Sequence, residues 1–124
     1  MAYLEHVNIT VDDPQATAAV LQELFGWRIR WQGEGPKGRA LHVGTETSYL
    51  ALYAPSDRSE GQSKRYSQLG ALNHIGIVVE DIDAAEDKVI AAGYAPGNHG
   101  DYEPGRRFYF DGPDGVEYEV VSYA

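Results

Sequence analysis

The chain has 124 residues, a formal net charge of −9 from 10 Lys+Arg against 19 Asp+Glu, and no cysteine. That length supports one compact domain with a real core, and the missing thiols exclude a disulfide framework, a cysteine zinc finger and a thiol nucleophile. The acidic balance argues against nucleic acid and anionic membranes as partners, since both select clustered positive charge. No apolar run reaches transmembrane length, and Met1–His6 lacks the basic and apolar regions of a secretory signal, so a cytoplasmic domain is expected.

Leu4 to Asp13 reads LEHVNITVDD. Val7, Ile9 and Val11 alternate there with His6, Asn8 and Thr10, the period of a half-buried strand. Asp13-Pro14 then predicts a helix start, with Asp as N-cap and Pro at the first helical position. The helix is expected over Gln15–Phe25, with Ala16, Val20, Leu21, Leu24 and Phe25 as its apolar stripe and Gly26 as its left-handed cap. Three strands are predicted next, at Arg28–Gln32, Arg39–Val43 and Ser48–Ala54. Gly33–Gly38 matches G-x-G-x-x-G, but no helix follows it, so it reads as a hairpin loop and not a dinucleotide site. Pro55–Gly70 has no periodicity and reads as a linker.

Leu72 to Asp81 then reads LNHIGIVVED, which repeats the first segment at a constant offset of 68. Ile75, Ile77 and Val79 alternate as before, and a second helix is expected over Asp83–Ala92, its stripe Ile82, Ala85, Val89 and Ala92, ended by Gly93. A weak strand near Tyr94–Ala95, a Gly-rich loop over Pro96–Gly105, and strands at Arg106–Asp111 and Val116–Ser122 complete the copy. The unit is βαβββ, written twice: module one at 1–54, a linker at 55–71 and module two at 72–124. The expected fold class is α+β.

The chemistry is expected on the strand face away from the helices. His6 and His74 hold equivalent places in the two copies and point away from the Val/Ile face. Two imidazoles and a carboxylate suit a borderline divalent ion. Glu117 and Glu119 share one face of the last strand, and spacing alone leaves both open as the carboxylate. His42 reads as a partly buried strand residue or a general base. Tyr49, Tyr53 and Tyr109 are expected to line a substrate pocket or to donate a hydrogen bond. Arg106 or Arg107 is placed to meet an anionic substrate or to end a strand in solvent, and His99 lies in the Gly-rich loop, on the surface.

The double βαβββ pattern resembles the vicinal oxygen chelate superfamily, which includes glyoxalase I, fosfomycin-resistance thiol transferases, extradiol dioxygenases and bleomycin-resistance proteins. EHVNITVDD, NHIGIVVED and FDGPDGVEYEVV carry the resemblance, which spans essentially the whole chain. It implies a cup-shaped, incompletely closed β-barrel of two βαβββ modules with flanking helices. It also implies one divalent ion (Mn, Fe, Zn, Ni or Co) held by His6, His74 and Glu119, with Glu117, His42 or Tyr109 as acid/base candidates and Tyr49, Tyr53 and Arg107 near substrate. The fourth ligand of glyoxalase I falls on Ala51, which cannot coordinate, so a three-ligand site is implied. The resemblance further implies a small oxygenated substrate that chelates the ion, through lyase or isomerase, thiol-transfer or dioxygenase chemistry. A homodimer is implied as well. The alternative is a non-catalytic protein that sequesters a small molecule or antibiotic, of the bleomycin-resistance type.

Overall fold

A computed structural model describes residues 1–59, 64–102 and 105–124. The chain divides into two compact units, Met1–Ser59 and Glu60–Ala124. Each is a βαβββ unit with one helix packed on one face of a four-stranded mixed sheet.

In the first unit, β1 (His6–Thr10) leads into α1 (Pro14–Phe25), and β2 (Arg28–Gly35), β3 (Gly38–Gly44) and β4 (Tyr49–Pro55) follow. The strand order is β1-β4-β3-β2, with β1 parallel to β4 and the other pairs antiparallel. Asp13 caps α1 by accepting from the backbone N–H groups of Gln15 and Ala16, and Gly26 closes it in the left-handed conformation at φ 70°. The buried face of α1 is Pro14, Thr17, Ala18, Leu21 and Leu24. This corrects the expected stripe: Leu21 and Leu24 are buried as expected, but Ala16 is exposed and Val20 and Phe25 are half-buried, because helical spacing fits two adjacent stripes and the sheet beneath takes the one through Thr17 and Ala18. These side chains meet Leu41, Val43, Leu50 and Leu52, all buried in the sheet beneath. The hairpin turn is tighter than expected, for β2 runs to Gly35 and β3 starts at Gly38.

In the second unit, β5 (Ile75–Val78) leads into α2 (Ile82–Ala91), and β6 (Gly97–Tyr102), β7 (Gly105–Asp111) and β8 (Glu117–Ser122) follow. The order β5-β8-β7-β6 repeats that of the first unit. Asp81 caps α2 by accepting from the Ala84 N–H. Ile82, Ala85 and Val89 pack towards Phe108, Phe110, Tyr118 and Val120. The expected weak strand at Tyr94–Ala95 does not form, and most of the expected loop is β6. Its sequence, GNHGDY, carries no apolar alternation because β6 is an edge strand held mainly by backbone pairing with β7. Ahead of β5, Arg65 donates to the Gly115 carbonyl at 2.7 Å and pairs with Asp111 at 3.2 Å, which pins the segment before His74 to the turn before Glu117. Linker residues 60–63 lie outside the described residues.

Candidate functional site

Strand alternation sends the two faces of each sheet to different tasks. In the second unit, Tyr118, Val120, Phe108 and Phe110 go under the helix, so their neighbours in sequence must point the other way. The ladder pairs Gly76 with Glu119 and Glu119 with Tyr109, and it sets Glu117 beside Asp111 and Val121 beside Arg107. His74 precedes β5 on the same side.

These residues form one connected cluster. Glu119 Oε2 accepts from Arg107 Nη1 and from the Tyr109 hydroxyl, both at 2.9 Å. Glu119 Oε1 lies 3.3 Å from His74 Nε2, and Glu117 Oε1 lies 3.8 Å from His74 Nδ1. Glu117, Glu119 and Arg107 keep only 12–13% of their side-chain exposure. His74 Nδ1 and Glu117 Oε1 are buried and make no hydrogen bond.

Two ligand atoms bonded to one first-row ion at about 2.1 Å sit roughly 3.0–3.4 Å apart. The His74 Nε2 to Glu119 Oε1 separation of 3.3 Å falls in that range. The orphaned Nδ1 faces a second carboxylate, the usual companion of a metal-bound imidazole. The donor pair therefore fits a divalent ion, with Glu117 behind the imidazole and Arg107 and Tyr109 behind the carboxylate. Among the described residues no group of three or more His, Cys, Asp or Glu side chains is gathered as a complete metal cage.

The equivalent face of the first unit is built differently. His6 Nδ1 donates to Glu5 Oε1 at 2.9 Å, which leaves Nε2 as its ligand-capable atom. That contact holds the Glu5 carboxyl below its ordinary range. The His6 ring stacks on Tyr49 at 4.9 Å, and Tyr49 stacks on His42 at 4.6 Å. His42 thus shares the face of His6, and burial lowers its pKa, which favours the neutral ring. Burial raises the Tyr49 phenol, whose hydroxyl donates to Glu5 at 3.2 Å. Ala51 occupies the place in this sheet that Glu119 occupies in the other. Tyr53 donates to the Lys37 carbonyl at 3.1 Å and so braces the β2–β3 hairpin.

Two residues escape sequence reasoning. Trp31 lies 4.9 Å from His42, and the Arg30 guanidinium covers the Tyr49 ring at 4.3 Å. A register shift between Ile29 and Trp31 inserts Arg30 as an extra residue, which turns Arg30 and Trp31 onto the same face. Simple alternation cannot reveal that. Arg106 and His99, by contrast, take part in pairs with α2, to Asp83 at 2.9 Å and to Glu86 at 2.8 Å.

The model of the Glyoxalase/Bleomycin resistance protein/Dioxygenase superfamily matches residues 3–120. No curated protein matches the chain. Solved structures share its fold. A glyoxylase/bleomycin resistance protein/dioxygenase domain from Frankia sp. EAN1pec is 19% identical, with a TM-score of 0.83 and 98% of each chain covered. TnmS3, an antibiotic binding protein from Streptomyces sp. CB03234, is 18% identical, with a TM-score of 0.73, covering 100% of this chain and 98% of that one. The fosfomycin resistance protein FosX from Mesorhizobium loti is 20% identical, with a TM-score of 0.73, covering 98% and 91%. No helix among the described residues is long and apolar enough to cross a membrane.

Proposed function

The chain belongs to the glyoxalase/bleomycin resistance protein/dioxygenase superfamily, and from that premise we propose a divalent-metal-dependent enzyme of the vicinal oxygen chelate type that acts on a small oxygenated molecule. His6, His74 and Glu119 are its proposed ligands. The observation that carries the reading is the 3.3 Å approach of His74 Nε2 to Glu119 Oε1, with a buried, unpartnered Nδ1 turned toward Glu117.

A bound divalent ion supplies Lewis-acid polarisation of substrate oxygens. The chain's own groups do the rest. Arg107 and Tyr109 fix the Glu119 carboxylate through one oxygen and leave the other directed at His74. Glu117 faces the His74 ring and is the nearby carboxylate able to take a proton. Tyr109 and His42 are the remaining acid/base candidates, and Tyr49, Tyr53 and Arg107 border the substrate. The same reading carries a small-molecule partner, a homodimer and a cytoplasmic setting.

The test is metal uptake. Protein stripped with chelator and offered Mn, Fe, Co, Ni or Zn is expected to retain one ion per chain. His74→Ala and Glu119→Gln are expected to lose it while circular dichroism stays unchanged. Retention of no ion by the wild-type chain, or undiminished retention by His74→Ala, overturns the ligand set.

One observation favours a second reading. Glu119 Oε2 is already held by Arg107 and Tyr109, so the carboxylate is neutralised without an ion. A protein that sequesters a small molecule and performs no chemistry has that need, and the TnmS3 neighbour is an antibiotic binding protein. Tight ligand binding in chelator with no turnover under any metal would select it.

A further inference from the structure

We propose that the first unit carries a stacking site for a planar aromatic acid, with Trp31 as its platform. The proposal deepens the functional reading by naming a ring class for the substrate, and rests on it only in assigning the substrate to this face. It does not depend on the ion.

Four rings stand on four neighbouring strands: His6 on β1, Tyr49 on β4, His42 on β3 and Trp31 on β2. Successive centroids are 4.9, 4.6 and 4.9 Å apart. Strands lie about 4.7–4.9 Å apart, so side chains upright on adjacent strands turn ring faces towards one another. The ladder ends at β2, the last strand of its sheet, and there Trp31 is 53% exposed.

The six-membered ring of the indole reaches Gly33 of its own strand. A Cβ at Gly33 would come within 2.7 Å of it, so glycine at that position lets one side of the ring rest on the backbone while the exposed area serves a partner. A flat, polarisable, half-exposed surface at the end of a ring ladder selects another planar ring.

The charge selects an acid. Glu5 is engaged by both His6 and Tyr49. Arg30, turned onto the face by the bulge, has a buried Nη1 with no hydrogen-bond partner. Arg30 thus keeps donor capacity beside the ladder, and an acidic substituent on the ring would answer it.

Calorimetry in EDTA with 2-naphthoate and cyclohexanecarboxylate tests this, because both acids carry one charge and only the first can stack. Wild-type protein is expected to prefer naphthoate by about ten-fold, within the range that aromatic stacking provides. Trp31→Leu should lose about that factor, while Trp27→Phe should keep it. In Trp27→Phe protein the one remaining indole N–H resonance should shift on naphthoate addition, a readout that needs no Trp31 variant to fold. Equal affinity for the two acids, full affinity in Trp31→Leu, or an unmoved Trp31 resonance overturns the site. Naphthoate stacking in chelator without metal uptake keeps this site and removes the metal reading. Metal uptake without stacking does the reverse.

Discussion

Replacing Arg107 by Met removes the guanidinium that pairs with Glu119 at 2.9 Å, at a place where each side chain keeps 13% exposure. Breaking a buried ion pair from one side costs about 3–5 kcal/mol, because the remaining charge stays desolvated. The Tyr109 hydroxyl still donates to Glu119 Oε2, and the residual exposure admits some water, so about 2–3 kcal/mol is expected. For a chain of this length that is a fall in Tm of roughly 10 °C, read by circular dichroism in EDTA. Arg107→Met/Glu119→Gln removes both charges and should recover to within about 1 kcal/mol of wild type. Adding a divalent ion should raise the Tm of Arg107→Met by more than that of wild type, since a cation then replaces the lost one. A single variant as stable as wild type would show that Glu119 does not depend on Arg107. A double variant as weak as the single would show that the loss is packing and not charge.

Other outcomes follow from local geometry. Tyr118→Phe should be neutral or stabilising by about 1 kcal/mol in urea unfolding, because the buried hydroxyl has no partner and burial raises its pKa. Gly44→Ala should cost about 2 kcal/mol or more, since the new Cβ would meet the Ser48 carbonyl at 2.4 Å and the Tyr49 Cα at 2.5 Å. Hydrogen bonding from Arg106 holds the Asp83 carboxyl below its ordinary value, so its stabilising effect is present above the unfolded pKa and fades as pH falls through the folded one. Arg106→Gln should therefore raise the Asp83 pKa in an NMR titration and flatten the acid limb of the stability curve.

The doubled unit was legible because its signals are local. Asp13-Pro14 starts a helix, Gly26 ends it, and His6 and His74 recur in identical strand contexts. The far-face placement of Glu117, Glu119, Tyr109 and Arg107 follows from plain alternation, since β7 and β8 pair without interruption from Arg106 to Asp111. What stayed hidden depends on partners. β6 is specified by the strand beside it and not by its own apolar pattern. Arg30 and Trp31 reach their face through an inserted residue, which shifts parity without leaving a mark in composition. On α1, helical spacing fits two adjacent stripes that share Leu21 and Leu24, and the sheet underneath chooses between them.

The matched registers of the inner strands set the faces of the two sheets in correspondence. Tyr49 stands where Glu117 stands, Ala51 where Glu119 stands, His42 where Tyr109 stands and Ala40 where Arg107 stands. The first copy fills those places with two rings and two alanines, the second with three charged groups and a tyrosine, in matching strand registers. Duplication has thus given this chain two independently variable palettes. Writing Ala40→Arg, His42→Tyr, Tyr49→Glu and Ala51→Glu into the first copy would transcribe the charged constellation around His6, and would turn an asymmetric protein back towards the symmetry from which its sequence departs.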